Sequence, residues 1–177
     1  MKIAVFCGSS MGKKAGYAEV ARELGSKMAQ QGHSLVYGGG HTGLMGTIAD
    51  SVLAAGGEVY GVIPTSLVNK EVAHTGLTEL FVVENMHQRK AKMAALADAF
   101  IALPGGVGTL EEIFEAWTWA YLDYHHKPSI FLNVLGYYEP LFTFLEHTEH
   151  EGFVSSYSRG LVSLENNVDA TLAKLSQ

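Results

Sequence analysis

Ala99-Phe-Ile-Ala-Leu-Pro-Gly-Gly-Val-Gly-Thr-Leu-Glu-Glu-Ile113 joins a short apolar segment to a helical one through a glycine-rich turn. The apolar part, residues 99–103, has the length and the bounded ends of a strand that is buried on both faces, and Pro104 ends it. Such strands belong to parallel sheets that helices cover on both sides. The stretch therefore predicts the central strand of an α/β fold.

The turn after this strand has the features of an anion-binding site. Its three glycines, within residues 105–108, leave the backbone open to a ligand. Thr109 is suited to cap the next helix or to contact a ligand through its hydroxyl. The first amides of that helix lack an internal acceptor and carry about half a positive charge, so phosphate is the natural guest. Glu111 and Glu112 fit either as ordinary first-turn charges or as functional carboxylates.

The rest of the chain alternates strand-like and helical segments separated by short turns. Further strands are predicted at residues 2–7, 33–37, 58–63, 78–83, 127–134 and 161–164. Helices are predicted at residues 17–30, 44–55, 86–97, 110–122, 138–150 and 168–175. Right-handed crossovers between such segments give an open, mostly parallel, Rossmann-like sheet with helices on both faces. Ligands of these sheets bind at the carboxyl ends of the strands.

Length and composition predict one domain over residues 1–177. With 47% hydrophobic residues, a chain of 177 residues can bury about 70% of its unfolded surface. Cys7 is the single cysteine, which excludes an intrachain disulfide and fits a reducing cytoplasm. The net charge of −6 argues against a nucleic-acid partner. No apolar run approaches the ~20 residues that span a membrane, so no membrane partner is expected.

Two motifs resemble the signatures of one known family. PGGVGTLEE at residues 104–112 and MHQRK at residues 86–90 are similar to motifs of the LONELY GUY (LOG) family of cytokinin riboside 5'-monophosphate phosphoribohydrolases. The similarity extends over nearly the whole chain. It implies hydrolysis of the N-glycosidic bond of a nucleoside 5'-monophosphate, giving an adenine-type base and ribose 5-phosphate. It implies no metal and no redox cofactor.

The resemblance also implies which residues form the site. Arg89 and Glu112 match the family's catalytic pair. A carboxylate at Glu112 could stabilise positive charge on the ribose and orient water, and Arg89 could hold phosphate or ribose oxygens. The substrate contacts that carry over are Glu71, Lys90, Gly105, Gly106, Val107, Gly108, Thr109, Leu110, Glu111 and Thr118.

The sequence is also compatible with other functions. Gly38, Gly40 and Gly43 match the GxGxxG pattern of dinucleotide sites, although Glu58, the acid at the expected spacing, starts its strand rather than ending it. A non-catalytic nucleotide sensor or carrier is a further alternative. Members of the family have also been labelled lysine decarboxylases, an activity that needs a Schiff-base lysine, and none stands out here. The eight histidines suggest no metal-ligand cluster.

The helix predicted at residues 110–122 carries more large apolar groups than a monomer's surface explains. Trp119 and Leu122 fall on its otherwise polar side. The family resemblance implies a homodimer built around this helix and the helix at residues 86–97. Alternatively, Trp119 packs onto the last helix of its own chain.

Overall fold

A computed structural model of the chain, which describes residues 1–175, contains a seven-stranded parallel sheet. The strands are β1 Lys2–Phe6, β2 Ser34–Tyr37, β3 Val59–Pro64, β4 Glu79–Val83, β5 Ala99–Ala102, β6 Ser129–Leu132 and β7 Val162–Glu165. The helices are α1 Gly16–Gln30, α2 Gly43–Ala54, α3 Met86–Leu96, α4 Val107–Tyr121, α5 Glu139–His150, α6 Ser156–Gly160 and α7 Val168–Lys174. The strand order is β4-β3-β2-β1-β5-β6-β7, which confirms the predicted α/β class.

Strand β5 is buried on both faces because its side chains alternate between two cores. Ile101 packs with α1, α2 and α7 on one side, and Phe100 packs with α3, α4 and α5 on the other. The predicted alternative for Trp119 is therefore wrong. Helix α7 packs on the α1 side of the sheet, whereas Trp119 belongs to α4 on the opposite side.

The start of α4 differs from the prediction. The helix begins at Val107 rather than at Leu110, and Gly106 occupies the N-cap position. Thr109 is therefore not the cap but lies in the first turn, where its side chain is buried. Glycine tolerates the cap position without a side-chain oxygen, and this leaves the first amides of the helix uncapped. The short helix α6 was also not predicted, since a single turn carries no periodic signal.

The sheet order places a crevice where β1 and β5 meet. The chain leaves β1 towards one side of the sheet and β5 towards the other, so the loops at their carboxyl ends diverge. Helix α3 starts close to this crevice, and Asn85 caps it by accepting a 3.0 Å hydrogen bond from Gln88 N. No helix within residues 1–175 has both the length and the apolar character to cross a membrane.

Candidate active site

A cavity of about 300 Å³ opens at the carboxyl ends of β1 and β5. The loops after β1, β3 and β5 and the first turns of α2, α3 and α4 surround it. Its lining residues are Cys7, Gly8, Ser9, Met45, Leu67, Glu71, Met86, Arg89, Gly106, Val107, Gly108, Thr109 and Glu112. The motifs at residues 86–90 and 104–112 thus meet at one cavity.

The amino end of α4 supplies the anion-binding part of this cavity. No side chain caps the helix, so the amides of its first turn face the cavity without an internal acceptor. The turn itself depends on Gly105, because a Cβ atom there would overlap the Thr109 hydroxyl. The Gly105 carbonyl is held from outside by a 2.6 Å hydrogen bond that Tyr137 Oη donates. The turn is therefore held in a shape that can accept an anion.

Glu112 lies one turn further along α4 and carries an unusual carboxyl group. Burial raises its pKa from 4.5 to about 7, the Arg89 charge opposes that rise, and the nearby Glu111 and Glu71 charges add to it. Within the described residues the Glu112 carboxylate accepts no hydrogen bond, although it lines the cavity. A carboxyl group in this state is poised near neutral pH to take or to release a proton.

Arg89, on α3, lines the same cavity as Glu112 and is only 4% exposed. Its Nη2 donates to the carbonyl oxygen of Gly38 at 2.9 Å and to Glu71 Oε2 at 3.3 Å. Nη1 reaches only the sulfur of Met86, at 3.8 Å, and the buried Nε has no partner among the described residues. The guanidinium is thus fixed at one end and retains donors for a ligand oxygen.

The second glycine turn, residues 38–43, does not form a dinucleotide site. The first amides of α2 are already occupied, because Leu44 N donates to the Gly8 carbonyl at 3.0 Å. Gly43 is required for close packing against the backbone of Ser9, where a Cβ atom would overlap. A pyrophosphate would need those amides free, so the dinucleotide alternative is wrong.

The remaining predicted substrate contacts divide into three groups. Glu71 lines the cavity together with residues 106–109, whereas Gly105 borders a neighbouring cavity beside Tyr17 and Tyr137. Lys90, Leu110, Glu111 and Thr118 do not line the cavity in this single chain. Substrate contacts of all these residues, including those that line the cavity, stay predictions.

Lys90 and Thr118 each have an intrachain partner. Lys90 forms ion pairs with Glu111 and with Glu115, the latter at 3.1 Å. Burial lowers the pKa of Lys90, but the two hydrogen-bonded carboxylates more than offset this and raise it. The Thr118 hydroxyl donates to the Phe114 carbonyl at 2.7 Å. These contacts use two of the three ammonium protons of Lys90 and the hydroxyl proton of Thr118, so Lys90 keeps one donor and Thr118 keeps its acceptor lone pairs for a substrate.

Sequence reasoning missed the apolar wall of the cavity. Met45, Leu67 and Met86 line it, and Cys7 forms part of its floor. Burial, with a smaller contribution from the Glu112 charge, raises the pKa of the Cys7 thiol, so this group stays protonated and unreactive. The position of Cys7 at the carboxyl end of β1 was the available signal, because ligands of such sheets bind there.

Comparison with known proteins identifies the family. A family model described as "Possible lysine decarboxylase" matches residues 45–175. A cytokinin riboside 5'-monophosphate phosphoribohydrolase of Rhodococcoides fascians is 48% identical over 174 residues, which cover 98% of this chain and 88% of that protein. The chain belongs to the LONELY GUY (LOG) family. An Arabidopsis thaliana LOG protein with the same enzyme name is 47% identical over 176 residues, 99% of this chain and 81% of its own.

Solved structures of proteins more distant than these LOG relatives have the same fold. The Moco carrier protein of Chlamydomonas reinhardtii aligns with a TM-score of 0.73 at 23% identity, over 99% of this chain and 95% of that one. A molybdenum cofactor binding protein of Rippkaea orientalis aligns with a TM-score of 0.73 at 21% identity, over 99% and 94%. At these identities the likeness shows that the LOG chain and the carriers share a fold.

The decarboxylase label does not fit the site of this LOG chain. Pyridoxal-phosphate decarboxylases hold the cofactor as a Schiff base with a lysine, which must therefore reach the aldehyde carbon of the cofactor. Among the described residues that line the cavity there is no lysine, and Lys90 points towards Glu111 and Glu115. The cavity thus lacks the group that would hold this cofactor.

Proposed function

We propose that this protein hydrolyses the N-glycosidic bond of nucleoside 5'-monophosphates, cytokinin riboside 5'-monophosphates or AMP, to a free base and ribose 5-phosphate. The observation that carries the proposal is that Glu112 and Arg89 line one cavity together with the uncapped amino end of α4. Near-half identity to relatives named for this reaction supports it.

The geometry suggests a role for each part of the cavity. The 5'-phosphate binds the free amides at the start of α4, which fixes the ribose between Glu112 and Arg89. As the C–N bond breaks, its electrons leave with the base and positive charge develops on the ribose. The Glu112 carboxylate stabilises that charge and orients the water whose oxygen bonds to the anomeric carbon. One proton of this water stays on the new anomeric hydroxyl group, and the other is transferred to the departing base.

The apolar wall suits a flat purine base. Met45, Leu67 and Met86 offer flexible, polarizable contacts to an aromatic ring. A methionine-rich wall can adapt to an adenine with or without an apolar N6 substituent. The proposed substrate class therefore includes both AMP and cytokinin riboside 5'-monophosphates.

The phosphate requirement is a direct test of this function. We expect kcat/KM for adenosine to be at least about 1,000-fold below that for AMP, because the helix amides position only the phosphorylated ribose. Chromatography of reactions with AMP, a cytokinin riboside 5'-monophosphate and their nucleosides measures the free base. Nucleotide binding without any base release would favour the carrier alternative, and equal cleavage of AMP and adenosine would remove the phosphate site from the mechanism.

We further propose that two chains form a homodimer through α3 and α4. Trp119 is half-buried and lines a groove with Tyr124 and the α3 residues Ala91, Ala94 and Ala95. Leu122, just after α4, is 49% exposed and Tyr124 is 73% exposed, so large apolar groups surround the groove. A second copy that covers this face would also exclude water from nearby charges.

The dimer hypothesis predicts that Trp119→Glu converts the protein to a folded monomer. An unpaired charge is costly inside an interface, and dissociation relieves that cost. Sedimentation velocity at micromolar concentration compares wild type and variant, with Tyr157→Glu on the exposed face of α6 as the matched aromatic-to-acid control. A monomeric wild type would contradict the hypothesis.

The charge and the thiol of the protein fit a small-nucleotide partner and a cytoplasmic location. An acidic protein with a net charge of −6 is a poor match for nucleic acid, and the proposed ligand is a small nucleotide. The buried, free thiol of Cys7 supports a cytoplasmic location.

A further inference from the structure

Three side chains meet beside the loop that follows β3. His74 Nε2 lies 2.9 Å from Asp50 Oδ1, and His41 Nε2 lies 3.3 Å from Asp50 Oδ2. The two imidazole rings are 4.3 Å apart between centroids. Because His41 belongs to the turn after β2, Asp50 to α2 and His74 to the loop, the cluster joins three separate segments.

The backbone determines which nitrogen of His74 carries the proton. Gly76 N donates to His74 Nδ1 at 3.0 Å, so Nδ1 is an acceptor and Nε2 bears the proton that is donated to Asp50. A metal ion on Nε2 would require the opposite tautomer, in which Nδ1–H would face the Gly76 amide. The cluster is therefore built around a hydrogen bond, although its three groups could in principle ligate a metal.

His74 ends a segment that is bonded closely to the turn before α2. His41 N donates to the carbonyl of Val72 at 2.9 Å, and His74 N donates to the carbonyl of Gly39 at 2.9 Å. Val72 has a φ of +50°, a left-handed conformation that is strained for a β-branched residue. Such a conformation persists only when its surroundings hold it. His74, which is 7% exposed, is the buried anchor at the end of this segment.

The same segment carries Glu71, which holds Arg89. Glu71 Oε2 and the Gly38 carbonyl both accept from Arg89 Nη2, at 3.3 Å and 2.9 Å. The two acceptors thus come from two segments that the backbone hydrogen bonds join, and the His74–Asp50 pair fastens the Glu71 segment to the helix that follows the other one. A shift of the loop would remove one of the two contacts that orient the guanidinium.

We propose that Asp50 and His74 are positioning residues for the active site. Their hydrogen bond fastens the Glu71 segment to α2, the helix that continues the turn at residues 38–41, and Glu71 in turn orients Arg89 towards the cavity. This inference rests on the proposed function, because Arg89 is the group that is positioned. Neither residue lines the cavity itself.

Two substitutions of His74 separate the hydrogen bond from the ring. His74→Gln can keep a donor near the Nε2 position, whereas His74→Asn can keep only an acceptor near the Nδ1 position. We expect kcat/KM for AMP to fall about tenfold in His74→Asn and Asp50→Ala, but less than about threefold in His74→Gln. His41→Ala is the control: its contact with Asp50 is exposed, so a change below about twofold is expected.

A double-mutant cycle tests whether the effect passes through Glu71. If Asp50 acts by holding Glu71, Asp50→Ala should cost about tenfold in the wild type and less than about twofold in Glu71→Ala. Equal losses in both backgrounds would show that Asp50 merely supports the fold and would overturn the proposal. So would a Zn²⁺-dependent rise in Tm that is lost in His74→Asn, since it would reverse the tautomer assignment.

Calorimetric titration with AMP keeps this test separate from the proposed reaction. If the wild type binds AMP but releases no adenine, the proposed function fails, and the same cycle measured on the Kd for AMP still tests the positioning. Non-additive losses of affinity would support the role of Asp50 and His74. Additive losses would contradict it.

Discussion

Replacing Glu112 with glutamine is expected to lower kcat for base release by about 10³-fold while AMP binding survives. The amide keeps the size of the side chain but cannot offset positive charge on the ribose. Single-turnover assays with chromatographic detection of adenine measure the loss, and calorimetry measures binding. Glu146→Gln on the exposed face of α5 is the matched control. Wild-type turnover in Glu112→Gln would exclude the proposed role.

The raised pKa of Glu112 adds a pH signature to this prediction. If the carboxylate is the active form, wild-type kcat/KM should rise with pH through about 7, whereas the residual activity of Glu112→Gln should lack that rise. Stability should show the opposite trend. Because the pKa of this carboxyl is higher in the folded than in the unfolded protein, the free energy of unfolding falls as pH increases from 4.5 to about 7.

Glu112→Gln should therefore be more stable than the wild type at pH 8 and equally stable near pH 4.5. The expected gain in the free energy of unfolding at pH 8 is about 2 kcal/mol. This is less than the full pKa shift implies, because water in the cavity partly solvates the charge. Urea unfolding followed by tryptophan fluorescence measures the difference at both pH values. A variant that is less stable than the wild type at pH 8 would show that the carboxylate is well solvated.

Arg89→Lys is expected to lower kcat/KM for AMP by about 10²-fold, although it preserves the charge. Lysine cannot contact Gly38, Glu71 and a ligand oxygen at once, as the planar guanidinium can. The exposed Arg22→Lys on α1 is the control. In Arg89→Gln, the loss of a charge that lowers the pKa of Glu112 should also move the rise in kcat/KM above pH 7. An unchanged pH profile in Arg89→Gln would show that the Arg89 charge does not affect the ionisation that controls kcat/KM.

The central strand and its glycine turn could be predicted because their signals are local. Five apolar residues ended by proline and glycines describe a buried parallel strand, and β5 occupies that stretch. The exact start of α4 could not be predicted, because both glycine and threonine are accepted at the N-cap position and the sequence signals of the two differ little. The cap was consequently predicted at Thr109, three residues beyond Gly106, where the structure has it.

The candidate site could be predicted only where motifs and strand ends coincide. Arg89 and Glu112 lie in such motifs and meet at the cavity, whereas Met45 and Leu67 have no signal beyond their apolar character. The pairing of Asp50 with His74 was also invisible, because 24 positions separate them and only the folded loop brings them together. Long-range polar contacts of this kind depend on the backbone path rather than on any periodic pattern.

A crystal structure of Glu112→Gln with AMP bound tests the central claim most directly. We expect the 5'-phosphate on the amides at the start of α4 and the anomeric carbon between residue 112 and the Arg89 guanidinium. AMP bound intact in the neighbouring cavity beside Tyr17 and Tyr137, with its anomeric carbon remote from residue 112, would contradict the proposed active site.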